Sequence, residues 1–207
     1  MYYYVMRTLI ISIFVSLFAF ISVSVAEEYT NMSLGYTKHI AEDPHDSAGT
    51  TYFSDPEENG FVLGFALGQK SDGVSTEIET SYYSEVSQKL TSDVTVDVST
   101  LASMFNVMLT PGENELYGIL GGGVGFGYSM VDTSYKSGST TFNGDEETLE
   151  FAYQLILGFG ADNYELVFKH TNFGEVKGGS GKTSAGDTYN ADEFDSKYNS
   201  IAFRIKY

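Results

Sequence analysis

Cysteine and tryptophan are absent from the 207 residues, proline occurs three times, and cationic side chains number 11 against 28 carboxylates. Each shortage excludes something. Without cysteine no disulfide can staple the chain, so its stability must come from a packed core or a lipid belt. A formal net charge of −17 removes nucleic acid from the expected partners, because binding phosphate backbones needs clustered Lys and Arg. Long apolar runs are missing everywhere except at the N-terminus, which rules out a bundle of spanning helices; any further spanning must be done by strands. What the chain has in quantity is tyrosine (16), phenylalanine (15) and glycine (22). Amphipathic rings of this kind suit membrane interfaces.

The one long apolar run is preceded by Arg7, extends over residues 9–20, and is followed by Ser24, Val25 and Ala26 ahead of Glu27. A basic start, a short apolar stretch and small residues at a cleavage position make a secretory signal peptide. Continued through Val25, the run approaches the roughly 20 residues of a membrane anchor, but the small-residue site favours cleavage after Ala26. The expected organisation is a signal over 1–26 and a single domain over 27–207. Cleavage removes Arg7 and no acid, leaving the exported chain more acidic still.

Beyond the signal the sequence alternates. The end of the chain, YNSIAFRIKY, sets Ile201, Phe203, Ile205 and Tyr207 on one face and Ser200, Ala202, Arg204 and Lys206 on the other. Side chains of a strand point to opposite faces in turn, so one face is apolar and the other polar. Similar runs occupy residues 29–38, 60–70, 75–85, 101–109, 116–128, 149–159 and 164–173, which makes eight strands of about ten residues, the length of a tilted strand crossing a bilayer. The links alternate strictly. Short turns lie at Ser71-Asp72-Gly73, Pro111-Gly112-Glu113-Asn114 and Gly160-Ala161-Asp162-Asn163. Long polar links cover residues 40–59, about 86–96, 130–147 and 174–196. All short turns therefore fall at one end, as in an up-and-down membrane barrel and unlike a Greek-key sandwich. The aromatic and aliphatic face is too bulky for the lumen of an eight-stranded barrel, so it is expected to face lipid.

The polar face then lines the lumen, with Glu77, Glu79, Glu150, Gln154, Glu165, Lys169, Arg204 and Lys206. A turn at 71–73 pairs Gly68 with Glu77 and Ala66 with Glu79, and the glycine file of residues 121–127 makes room for Met104 and Met108. Charges enclosed in so narrow a space need partners, and Lys169 and Arg204 are expected to bridge to acids such as Glu165 and Glu150. The other reading of the same residues is a narrow ion path.

The glycine-rich run LYGILGGGVGFGY, the pair FAYQLILGFG and YELVFKHTNFG, and the ending IAFRIKY resemble the eight-stranded outer-membrane barrels that include the OmpA transmembrane domain and the Opa-type surface proteins of Gram-negative bacteria. The resemblance spans residues 27–207. It implies an all-β, eight-stranded antiparallel up-and-down transmembrane barrel in the outer membrane, in contact with lipid. It also implies a terminal signature, Ile201, Phe203, Ile205 and Tyr207, read by the barrel-assembly machinery; Tyr207 stands where the family usually has Phe. No peptidoglycan-binding domain follows, so a wall-anchoring role is not expected.

Catalytic, metal and cofactor sites are not expected. Some lipid A deacylases of this shape carry a His and a Ser two positions apart on a lipid-facing strand, so that imidazole can activate hydroxyl. Here His170 has Asn172 in that place, and Thr171 points inwards. The run of residues 178–183 has Val176 where a phosphate-binding loop needs its first glycine, and no helix follows. Residues 42–46, rich in acids and one His, offer oxygen ligands for a divalent cation in an external loop; a solvated acidic loop is the simpler reading. The expected function is that of a non-enzymatic surface antigen or adhesin, meeting a host surface molecule through its four external loops. A small pore and a divergent lipid A-modifying enzyme are the alternatives.

Overall fold

The computed structural model describes residues 26–42, 57–89, 94–111, 116–137, 140–182, 188–190 and 193–207. The signal segment, most of the acidic run 42–46 and residue 183 of the glycine-rich run lie outside them. The described residues form ten strands: β1 (Glu27–Glu42), β2 (Glu57–Ser71), β3 (Val74–Lys89), β4 (Val94–Leu109), β5 (Leu116–Ser137), β6 (Thr140–Ala161), β7 (Tyr164–Val176), β8 (Ser180–Lys182), β9 (Thr188–Asn190) and β10 (Phe194–Lys206). Strands β1 to β7 and β10 make the wall of a closed antiparallel barrel, each paired with its neighbour in turn and β10 with β1. The small β8–β9 hairpin stands on the last long link and touches β6 where Asp145 meets Ser180.

Closure follows from the alternation of the chain. Met32, Leu34 and Tyr36 on β1, Phe61, Leu63 and Phe65 on β2, and Leu155, Leu157 and Phe159 on β6 all lie on the outside, about half exposed. A soluble monomer rarely shows so continuous an apolar girdle, and a bilayer is the solvent that tolerates it. Among the described residues no helix is long and apolar enough to cross a membrane. Closing the sheet leaves no unpaired strand edge at the level of this girdle. The last strand is stitched to the first by two backbone bonds between Thr30 and Tyr207, at 3.0 and 2.9 Å. At the short-turn end, Asp72 (φ 49°), Gly73 (φ 77°) and Asp162 (φ 49°) adopt left-handed conformations in two-residue turns, residue types that bear this at low cost.

The expected register holds. Gly68 faces Glu77 and Ala66 faces Glu79 across β2 and β3, while Gly125 faces Met104 and Gly121 faces Met108 across β4 and β5. The strands, however, are longer than ten residues. The links expected over 86–96 and 130–147 are mostly strand: β3 runs to Lys89, β4 starts at Val94, and the β5–β6 ladder continues to Ser137 and Thr140. The link over 174–196 holds β8 and β9. The wall thus rises well beyond the girdle on the long-link side. Its polar outer face there, with Asp97, Asp132 and Asp145, is what a wall in water requires, and its inner face packs Ala41, Val86, Val96, Val98, Val131, Val176 and Phe194 into a dry cluster.

A second difference concerns the rings inside. Tyr83, Phe173 and Tyr198 are buried in the lumen in mutual contact, with centroids 4.5 to 5.5 Å apart. Small neighbours make this possible: Ala102 and Ala152 pack in the same cluster, and a Cβ added at Gly127 would stand 2.2 Å from the Phe173 ring. Bulky rings are therefore not confined to the lipid side.

Candidate functional site

The interior is built in layers. At the short-turn end, inward positions of β3, β7 and β10 bring acids and bases together. Arg204 reaches Glu77 through Nη2 at 2.5 Å and Glu165 through Nη1 at 3.2 Å. Lys206 Nζ meets Glu165 Oε1 at 2.5 Å, and Lys169 pairs with Glu79. Three carboxylates face three cations, so the layer is neutral. Burial of each charge is offset by partners, as it must be in so small a space.

Polar side chains complete the shell. Tyr29 donates to Glu77 at 2.9 Å and Tyr117 to Glu165 at 3.0 Å. Ser81 and Asn106 donate to Glu79 at 2.8 and 2.9 Å. Gln154 donates to Asn106 at 2.5 Å and receives Thr171 at 3.4 Å, and Thr171 lies 3.2 Å from the Tyr83 hydroxyl. Lys206 also stands over the rings of Tyr29 and Tyr117, 4.6 and 5.7 Å from their centroids. The chain of contacts runs without interruption from the charged layer into the aromatic one.

Of the residues singled out in the sequence, Glu77, Glu79, Gln154, Glu165, Lys169, Arg204 and Lys206 meet in this network. Glu150 does not. It is half-exposed on the inward face of β6, opposite Gly127 and far along the strand from the charged layer, and no described cation pairs with it. Lys169 takes Glu79 because β3 and β7 face each other across the lumen, a relation that neighbouring-strand register does not reveal. Tyr29, Tyr117 and Asn106 were not anticipated as partners. The parity of Tyr29 with Asn31 and of Tyr117 with Ile119 was the available signal.

Above the rings lies His39, buried, with its Nε2 2.9 Å from Ser196 Oγ and its ring 4.5 Å from Tyr198. Nδ1 has no partner. Burial lowers its pKa to about 3, against the opposing effect of the Gln88 side chain. Neither group can reach solvent, so the pair is not a catalytic dyad. On the outer surface, His170 Nδ1 is 2.7 Å from Asn199 Oδ1, and Asn172 donates to Tyr153 at 3.1 Å; among the described residues the partner of the imidazole is an amide and not a hydroxyl. Ile201, Phe203 and Ile205 point outwards on β10 and Tyr207, just past its end, is exposed; Phe203 stacks on Tyr164 at 5.8 Å.

The outer wall carries charge unevenly. Lys38 pairs with Glu57 and Lys197 with Glu42 on the β1, β2 and β10 side. Across β4, β5 and β6, Asp97, Asp132 and Asp145 stand directly opposite one another. Opposed like charges weaken a sheet unless something compensates. Asp132 and Asp145 line a shallow depression of about 220 Å³ with Thr133, Ser134, Asn143 and Gly144. Among the described residues no group of acids and histidines is placed to hold a metal ion.

Together these features define a closed eight-stranded barrel with an apolar girdle, a filled lumen and a raised, acidic outer wall. No family model and no curated protein matches the sequence. Solved structures do match its shape. The attachment invasion locus protein Ail of Yersinia pestis superposes with a TM-score of 0.56 at 14% identity, covering 87% of this chain and 99% of Ail. Ail in complex with the heparin analogue sucrose octasulfate matches equally well. The outer membrane protease OmpT of Escherichia coli gives a TM-score of 0.50 at 7% identity, over 90% of this chain and 99% of OmpT. At these identities the likeness is one of fold.

Proposed function

We propose that the chain is a non-enzymatic outer-membrane surface protein, antigen- or adhesin-like, that displays its four long links to the medium. The observation that carries this reading is the pairing of a sealed interior with a wall that rises past the girdle at the long-link end only. Among the described residues the barrel interior is filled by a neutral ion network and a layer of rings, which points to the external surface as the distinguishing one. Export by the signal over 1–26, cleavage after Ala26, and assembly through Ile201, Phe203, Ile205 and Tyr207 belong to the same reading.

Enzyme activity of the OmpT kind is disfavoured by the outer rim, where the described partner of His170 is the Asn199 amide. Binding of a sulfated ligand such as Ail's is disfavoured by charge, since Asp97, Asp132 and Asp145 would repel it. An ion path would have to pass Tyr83, Phe173 and Tyr198, which leave no exposed surface between them. The test is topology on intact cells. An epitope inserted in residues 43–56 is expected to bind antibody on unpermeabilised cells, and one at Asp72-Gly73 only after permeabilisation. The reverse pattern would sink the proposal.

A further inference from the structure

Charge on the outer wall is sorted by height as well as by side. Where the girdle ends on β2, β1, β10, β7 and β6, the residues Phe61, Tyr36, Ile201, Phe168 and Leu157 stand in one ladder row. The next row towards the long links is polar, with Asn59, Lys38, Asn199 and His170 on the outward face. Above it come Glu57, Ile40, Lys197, Asn172 and Tyr153. A third row holds Glu42, Asp195 and Glu175.

Every ion pair on this face runs in the same direction. Lys38 pairs with Glu57, and Lys197 with Glu42 and, at 3.9 Å, with Asp195. The acid of each pair thus stands one row further from the lipid than its lysine. Exposed pairs of this kind hold each other by no more than about 1 kcal/mol, so an anion arriving from the membrane side can share or take the ammonium groups. At the edge of an apolar girdle that anion is a lipid phosphate, which attracts a nearby lysine by about 1 kcal/mol.

Neutral hydrogen-bonding groups lie between the two lysines. Asn199 separates Lys38 from His170 in the first row, and Asn172 lies between Lys197 and Tyr153 in the second. His170 uses Nδ1 on Asn199, and its Nε2 has no partner among the described residues. Amides, an imidazole and a phenol ring are the groups that meet sugar hydroxyls and the apolar faces of sugar rings. The other side of the barrel has none of this. Just past the girdle, β4, β5 and β6 carry Ser99, Met130 and Glu147, then Asp97, Asp132 and Asp145, with no cation in either row.

We propose that the outward face of β1, β10 and β7 at the girdle's edge is a docking site for the phosphate-bearing sugar headgroup of an outer-leaflet glycolipid. Lys38 and Lys197 hold phosphate, while Asn59, Asn199 and His170 meet the sugar; the acidic rows of β4 to β6 repel the same headgroup, so the barrel wears it on one side. This deepens the surface-protein reading and rests on it for the leaflet. Vesicles present the same lipid to either end of the barrel, so the test below fails separately from the cell-surface experiment.

The chain has no tryptophan, so Phe168→Trp, beneath the site, and Phe126→Trp, on the acidic side, each give a single reporter ring. Each variant is reconstituted in vesicles of phosphatidylcholine with brominated chains, which quench tryptophan on contact, and the brominated lipid is replaced stepwise by bis-phosphorylated lipid A. The recovery of emission reads which lipid surrounds the ring. At Phe168→Trp, lipid A is expected to be preferred over phosphatidylcholine at least about ten-fold, and at Phe126→Trp less than about two-fold. Adding Lys38→Gln and Lys197→Gln to Phe168→Trp is expected to bring its preference below about two-fold as well, with the heat-dependent gel shift of the folded barrel retained. Phosphatidylglycerol, an anionic lipid without the phosphorylated sugar, is expected to gain less than about three-fold at Phe168→Trp. Equal preference at the two reporters, or an undiminished one in the folded lysine variant, overturns the proposal. Phosphatidylglycerol preferred as strongly as lipid A overturns it too, since attraction to any anionic surface would then account for the binding.

Discussion

Arg204 illustrates what a single residue does here. It is 2% exposed and satisfies two carboxylates at once, Glu77 and Glu165. In Arg204→Met, Lys206 still serves Glu165, but Glu77 keeps only neutral donors. Breaking a buried pair from one side leaves an uncompensated charge, so the variant should lose about 3–5 kcal/mol in urea unfolding from lipid vesicles. Adding Glu77→Gln should recover part of that loss, and no recovery would mean that Arg204 acts by packing alone. His39 governs a different property. Its folded pKa lies below its unfolded one, so the unfolded chain binds more protons between the two, and stability falls as pH drops from about 6.5 towards 3. At pH 5 the loss should be about 2 kcal/mol, carried by the wall above the girdle. His39→Gln should flatten this part of the pH profile, read as the unfolding midpoint between pH 7.5 and 5.

At the scale of strands, glycine sets how closely β4 and β5 approach. A Cβ added at Gly125 would sit 2.0 Å from the Ser103 carbonyl oxygen, whereas one added at Gly118 meets nothing within 4 Å. Gly125→Ala should therefore cost about 3 kcal/mol, and Gly118→Ala less than about 0.5 kcal/mol, compared by unfolding midpoints. That the chain forms eight barrel strands was legible because a bilayer demands strict alternation, and residues 149–159 and 201–207 provide it. The same logic fixed the register at Gly68 and Glu77. The heights of the strands were less legible. In β4, Val94, Val96 and Val98 alternate with Thr95 and Asp97, a pattern of a wall in water that reads as a polar link when lipid is the only solvent considered. Tyr83 shares the parity of Glu77, Glu79 and Ser81 and so falls on the inward face; the register of β3 and β4 shifts only beyond it, before Val86, and it is Val86 that counting by twos places on the wrong face. The ion pairing of Lys169 with Glu79 depends on contacts across the lumen, which strand-to-strand spacing does not contain.

For the whole molecule, the layers of charge, rings and aliphatic side chains make a barrel that is full. Reconstituted into planar bilayers, the protein should show no steady conductance; a stable open level that persists at neutral pH would mean that the ring layer does not seal it. On the proposed reading the raised acidic wall is the outward face of the molecule, and the girdle gives it its place. The girdle is also the premise on which everything else depends. The most direct test takes the chain from Glu27 to Tyr207, refolds it with lipid vesicles or in plain buffer, and runs each sample on SDS gels with and without boiling, beside circular dichroism. The barrel should fold only with lipid or detergent, give a β-rich spectrum, and migrate faster unboiled than boiled. A chain that folds and stays monomeric in plain buffer would contradict the membrane assignment.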